Sequence, residues 1–229
     1  MRSSKLTPMI KQYLSIKGEY PDAILLYRMG DFFEMFFEDA QTAARVLEIT
    51  LTSRNKNDHQ PIPMCGVPVR AVQGYIARLI AKGFKVALCD QVEDPAQAKG
   101  IVKREVVRVL TPGMILEDEL LDRTCNNYIL SLAFHDQKVG LAYLDISTGT
   151  FRLTETQDRL AAAEEALRID PREILMPESM LGQATLQELT APFGERPQTT
   201  IEDGLFSLHR ARELLLDLFK TMSLEGFGC

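Results

Sequence analysis

The stretch Phe32-Phe33-Glu34-Met35-Phe36-Phe37 sets four phenylalanines around a single acid in six residues. An aromatic ring at the edge of a fold can stack on a nucleobase or wedge between base steps, and a carboxyl two residues away can hydrogen-bond to a base edge. Phosphate repels an acid aimed at nucleic acid, so Glu34 is costly in such a place unless it makes a specific contact. The competing reading is a core-facing helix start, because Phe36 and Phe37 lead into Ala40, Ala43, Ala44 and Leu47 at helical spacing. That reading accounts for Phe36 and Phe37 better than for Phe32, which stands two residues after Gly30. Other chemistry is sparse. Cys65, Cys89, Cys125 and Cys229 form no Cys-x-x-Cys pair and have no His at ligand spacing, so neither a metal site nor a disulfide framework is expected.

To hold Phe32 and Glu34 at an edge, a strand must end just before them and a helix begin just after. Residues 23–29 read as a buried strand between the Pro21-Asp22 turn and Gly30, and the helical stripe follows. Upstream, Thr7-Pro8 is a cap followed by proline at the first helical position, and Met9, Ile10, Tyr13 and Leu14 predict a short helix ending at Gly18. Downstream come a short strand at 50–52, a polar basic loop at 53–58, a helix at 72–82 and strands at 85–89 and 105–110. Thr111-Pro112-Gly113 ends the last of these. In the second half, runs at 128–134, 139–146 and 150–154, joined by turns, give an antiparallel meander. A helix at 158–169, a strand at 173–176 and a helix at 208–219 complete an α/β reading.

Composition bounds the rest. In 229 residues, 45% apolar and 25% charged, there is enough material for one large domain or two ordinary ones. No apolar run reaches the ~18 residues of a membrane span, and Met-Arg-Ser-Ser-Lys lacks the apolar stretch of a secretory signal, so a soluble cytoplasmic protein without membrane contact is expected. The net charge of −6 argues mildly against a polyanionic partner until the chain is divided. Residues 1–115 hold 16 Lys and Arg against 12 Asp and Glu, net +4, whereas residues 116–229 hold 10 against 20, net −10. The basic half is the candidate for a polyanion.

Gly30-Asp31-Phe32-Phe33-Glu34 resembles the mismatch-reading Gly-x-Phe-Tyr-Glu motif of the MutS family of DNA mismatch sensors. The likeness continues in order through Thr7-Pro8-Met9, Leu51-Thr52-Ser53-Arg54, the run Pro61 to Pro68, Gln91-Val92-Glu93-Asp94-Pro95, the run Val106 to Gly113 and, in the second half, Gly140 to Gly149. It thins between about residues 178 and 206. The resemblance implies a mixed-sheet mismatch-recognition domain over residues 1–115, a linker at 116–126, a ribonuclease H-like connector domain over 127–220, and the start of a further core domain at 221–229. It implies that Phe32 stacks on a mispaired or unpaired base from the minor-groove side and that Glu34 hydrogen-bonds to that base. A mispair lowers the cost of kinking the duplex, so deformability can be read without reading sequence. Phosphate contacts are expected from Arg54, which matches a family arginine, and from the cluster Lys103, Arg104 and Arg108, for which solvated surface charge is the competing role. Phe33 stands where the family has Tyr, and Val69-Arg70 departs from the family pattern.

The resemblance further implies a MutL partner for the connector, dimerisation in the full-length family, a bacterial, nucleoid-associated setting, and ATP with Mg²⁺ bound downstream. No Gly-x-x-x-x-Gly-Lys-[Ser/Thr] phosphate loop occurs in the chain, so no catalytic residue and no cofactor are expected in it, and the chain reads as an N-terminal fragment. Two rival readings concern the second half. In a ribonuclease H-like layout Asp145 would be the first carboxylate of a two-metal nuclease, but such a site needs about three further acids and none is evident, so Asp145 reads as a turn residue leading into Ser147-Thr148-Gly149. The other rival is an acidic protein-docking module with no DNA binding of its own.

Overall fold

The computed structural model describes residues 7–54, 61–93, 100–114, 126–194 and 196–227. The chain divides into two compact units, Met1–Arg123 and Thr124–Cys229, each organised around one mixed sheet. Two α/β units with mixed sheets are what the sequence led us to expect. The expected linker lies outside the described residues as far as 125, as do Cys125 and Cys229. Among the described residues no helix is long and apolar enough to cross a membrane.

The first unit runs α1 (Pro8–Glu19), β1 (Ala23–Met29), β2 (Phe32–Phe36), α2 (Phe37–Leu47), β3 (Thr52–Arg54), β4 (Ile62–Pro68), α3 (Val72–Ala81), β5 (Lys85–Gln91) and β6 (Arg104–Leu110). Its six strands lie in the order β3-β4-β2-β1-β5-β6, with β1 parallel to β5 and the other pairs antiparallel. Both faces of the central strands are covered, which is why residues 23–27 of β1 are an unbroken apolar run rather than an alternating one. Ile24 and Leu26 join the core under α2 and α3, while Leu25 and Tyr27 join a second core under α1 with Ile10, Tyr13 and Phe36. Thr7 caps α1, its Oγ1 accepting from Ile10 N at 3.4 Å.

Three local expectations are corrected. Phe36 belongs to strand β2 and not to the helix, which begins at Phe37 with a left-handed φ of 53°. The run Phe-Phe-Glu-Met-Phe hides its period of two because Phe33 and Met35 enter one core and Phe36 the other. The short strand expected at 50–52 is Thr52–Arg54, held by pairing with β4 rather than by its own apolar content. Arg54 therefore ends a strand instead of riding in the loop, whose residues 55–60 lie outside the described set.

One buried polar knot ties three of these elements together. Asp39, on the first turn of α2, accepts hydrogen bonds from Leu25 N at 3.0 Å, Tyr13 Oη at 3.1 Å and Lys17 Nζ at 3.0 Å. Lys17 Nζ also donates to Ala23 O at 2.6 Å. Burial, and after it the Asp39 charge, pushes the Tyr13 phenol well above its ordinary pKa, so the hydroxyl keeps its proton and donates.

The second unit comprises β7 (Tyr128–His135), β8 (Lys138–Asp145), β9 (Thr150–Thr156), α4 (Arg159–Ile169), β10 (Glu173–Pro177), α5 (Ala184–Thr190), β11 (Gln198–Ile201) and α6 (Leu208–Phe219). The meander β7-β8-β9 is extended on the β7 side by β10 and β11, both parallel to their inner neighbours. Asp158 caps α4 by accepting from Leu160 N at 2.9 Å and Ala161 N at 3.3 Å. α5 and β11 have no counterpart in the sequence reading. Seven residues are too few to show a helical period, and Gln198–Ile201 is a polar edge strand ordered by its pairing with β10.

Asp145 is 1% exposed at the end of β8. Its Oδ1 accepts from Ser147 N at 3.0 Å and Ser147 Oγ at 2.6 Å, and its Oδ2 accepts from Asn127 N at 3.1 Å. Burial raises its pKa, but these donors together outweigh burial and hold the carboxyl below its ordinary value. The residue fastens the β8–β9 turn to the start of β7. Among the described residues no group of three or more His, Cys, Asp and Glu is arranged to hold a metal ion.

Candidate nucleic-acid interface

Met29 pairs with Phe32 across a two-residue turn, so Gly30 and Asp31 form the tip of the β1–β2 hairpin. Gly30 has φ +58°, a value a side chain resists and glycine accepts freely. The tip is pinned from two directions. Val69 N donates to Asp31 O at 2.9 Å, and Arg28 Nε donates to Gly30 O at 2.5 Å. Phe32 opens the strand on the far side of this turn, opposite Pro68 of β4.

Strand alternation puts Phe32, Glu34 and Phe36 on one face of the sheet. Along that face exposure falls from 48% at Phe32 through the half-buried Glu34 to 0% at Phe36, so the row runs from solvent into the core under α1. Phe32 belongs to neither core of the first unit. A phenylalanine exposed at a tight turn forgoes most of the ~1.5–3 kcal/mol that full burial brings. This is the feature that the core-facing helix reading does not explain.

Glu34 stands between Tyr27 of β1 and Gly66 of β4 in the strand register. A Cβ on Gly66 would lie 3.4 Å from Phe33 O and 3.6 Å from Glu34 Cγ, so the absence of one leaves space beside the carboxyl. The register also continues Glu34's face across β4 to β3, where Arg54 pairs with Ile62. Arg54 Nη1 thereby reaches Glu34 Oε2 at 3.3 Å, with its guanidinium carbon 6.0 Å from the centre of the Phe36 ring. Burial raises the Glu34 pKa and the Arg54 charge pulls it part of the way back, the net direction being upward. A carboxyl with a raised pKa takes a proton readily when more negative charge approaches.

The other expected basic residues fare differently. Arg104 is buried, 8% exposed, and its guanidinium is engaged within the first unit. Its Nε donates to Arg28 O at 2.7 Å, and its Nη1 donates to Val102 O at 3.0 Å and Gln12 Oε1 at 3.3 Å, with the cation 4.9 Å from the centre of the Tyr27 ring. Burial and these acceptors make Arg104, one of the residues expected to meet phosphate, the post that joins α1, β1 and β6. Lys103 is exposed, with Nζ 2.5 Å from Glu105 Oε1, which offsets part of its charge. Arg108 is exposed on β6, three strands from β2, or about 14 Å at the usual spacing. It pairs with Leu88, which packs on the core under α2 and α3, so it stands on the face opposite Phe32. Of the four basic residues, the fold brings Arg54 to Phe32 and Glu34. Twenty residues and a strand register separate Arg54 from Glu34, so local spacing carries no sign of their contact; Gly66 in the middle of a strand is the sequence feature that marks a close approach.

In the second unit β9 is an edge strand with Phe151 44% and Leu153 53% exposed on one face. Cys65 and Cys89 are buried free thiols, pushed by burial up to about 11 and about 12.

A family model described as MutS domain I matches residues 7–119, and one described as MutS domain II matches residues 127–229. The DNA mismatch repair protein MutS of Desulfosudis oleivorans is 58% identical over 229 residues, covering 100% of this chain and 26% of the relative. The MutS proteins of Desulforapulum autotrophicum and Desulfatibacillum aliphaticivorans are 55% and 51% identical, again over 100% of this chain and 26% of their own length. The chain thus spans about a quarter of the length of the curated relatives it matches.

Proposed function

The chain belongs to the MutS family, whose domains I and II it carries in order, and on that premise we propose that it serves DNA mismatch repair by recognising mispaired or unpaired bases in kinked duplex DNA. The observation that carries this reading is the exposed Phe32 ring on a pinned hairpin tip, with the Glu34 carboxyl two residues behind it on the same face. Stacking on an aromatic ring tolerates any base, and a loosened base pair lets the ring enter from the minor groove at less cost than a sound one. Glu34 then hydrogen-bonds to the unstacked base. Burial makes the carboxyl easier to protonate as phosphate approaches, and a protonated carboxyl donates to a base acceptor and lowers that repulsion. Arg54, the basic residue that the fold brings beside Phe32 and Glu34, supplies charge toward the backbone, positioning the duplex without reading it.

The second unit is proposed as the connector, with the MutL partner that family resemblance implies. The exposed Phe151 and Leu153 on edge strand β9 favour a protein-docking role for it. Asp145, fastened in its turn by Ser147 and Asn127, favours that role over metal-dependent cleavage. ATP, Mg²⁺ and dimer formation are assigned to the full-length family, and the residues of this chain offer no phosphate loop to fit the nucleotide. Competition between labelled duplex with one mispair and unlabelled matched duplex tests the recognition role. Preferential retention of the mispaired duplex is expected, and equal displacement by either duplex refutes it.

A further inference from the structure

Arg54 and Glu34 are placed as a pair that duplex DNA must disturb. Arg54 closes the edge strand β3, its side chain is 36% exposed against 19% for Glu34, and one nitrogen lies 3.3 Å from Glu34 Oε2. The guanidinium has five donors, and phosphate oxygens accept from it in the same bidentate, charge-assisted way that a carboxylate does. We propose that Arg54 is a positioning residue for Glu34: in the DNA-free chain it holds the carboxylate ionised and turned along the sheet, and on binding it passes to a backbone phosphate, so that Glu34 takes one proton from solvent and turns its O–H to the unstacked base. This rests on the mismatch-recognition reading and adds a switch to it.

The surroundings of Glu34 suit that exchange. β1 contributes Tyr27, β4 contributes Gly66 and β3 contributes Arg54, while Phe32 and Phe36 flank the acid on its own strand. Arg104, against the neighbour Tyr27, is held by backbone carbonyls, and among the described residues Arg54 is the charge that acts on Glu34. Arg54 is thus the counter-ion, and its departure leaves a half-buried carboxylate facing polyphosphate. Sequence-independent phosphate contact would also be felt on matched DNA. On a matched duplex, however, no unstacked base accepts the new O–H, so the proton is bound less firmly there.

Carbon-13 NMR titration of the Glu34 carboxyl in the 229-residue chain, free and saturated with a mispaired duplex at low salt, tests the switch. In the free chain Arg54→Gln is expected to raise the Glu34 midpoint by about one pH unit, and Arg54→Lys to restore most of it. Adding mispaired duplex is expected to raise the wild-type midpoint by at least that amount, and to raise it distinctly less in Arg54→Gln, where no counter-ion remains to be withdrawn. Equal DNA-induced shifts in wild type and Arg54→Gln overturn the switch, as does an unchanged midpoint in free Arg54→Gln. Phe32→Ala, which leaves the ion pair in place, separates the two levels: if it keeps full preference for mispaired duplex, the recognition reading fails, whereas loss of preference alongside equal Glu34 shifts defeats the switch alone.

Discussion

Replacing Phe32 by Ala removes a ring that contributes to recognition far more than to the fold. A fully buried phenylalanine changed to Ala costs about 3–5 kcal/mol. Phe32 is 48% exposed and lies outside both cores of its unit, so a loss of about 1 kcal/mol or less is expected in urea denaturation. Stacking of an aromatic on a base is worth about 1–3 kcal/mol, which converts to a loss of roughly 5- to 150-fold in affinity for the mispaired duplex. Matched duplex gains little from the ring, because a sound base pair does not yield a face to it, so the loss falls on the ratio of the two affinities. Fluorescence anisotropy with mispaired and matched duplexes of equal length, at one fixed salt concentration, measures that ratio directly. A ratio unchanged within twofold in a variant of near wild-type stability would refute the stacking argument. A variant destabilised by 3 kcal/mol or more would show instead that the ring is part of the core.

Four further outcomes follow from the same geometry. Asp39→Ala strands Leu25 N, the Tyr13 hydroxyl and the Lys17 ammonium, and a loss of about 3 kcal/mol in urea denaturation is expected. Arg104→Ala leaves Arg28 O and Val102 O without this donor and is likewise expected to cost about 3 kcal/mol, while the salt dependence of DNA binding keeps its slope; a true phosphate contact would lower that slope by about one. Because the folded pKa of Asp145 lies below its ordinary value, its contribution to stability is complete at neutral pH and is lost as the pH falls through the folded value; denaturation midpoints of Asp145→Asn should accordingly show a flatter acid limb than wild type. Glu34→Gln, which keeps a hydrogen-bonding amide without the charge, is expected to change the mispaired-to-matched ratio more than the affinity for matched duplex in the same anisotropy assay.

Much of this chain is written in local signals. Thr7-Pro8 opens a helix, residues 23–29 form a strand stopped by Gly30, and α6 spans the residues its leucine pattern predicts. These succeed because a cap, a proline, a glycine or an apolar period acts within a few residues of itself. The meander β7-β8-β9 is legible for the same reason, its strands being joined by short turns. The position of Phe32 two residues beyond a glycine, and the misfit between that ring and a helix stripe, were also present in the sequence alone.

The tertiary structure decided what those residues do. Phe36 reads as helix in the sequence and is strand in the fold, since a sheet covered on both faces erases the alternation that would mark it. Arg104 and Arg108 are both arginines of one basic run, yet one is buried as a post between α1 and β6 and the other is exposed on β6. A charge in the sequence carries no record of whether carbonyls or water will surround it. Arg54 meets Glu34 because β4 pairs with both β2 and β3, and strand register is a long-range property that no local spacing encodes. The sequence by itself determined which residues have the chemistry to meet a base. Which of them stand together, and which are held inside the fold, was decided by the pairing of distant strands.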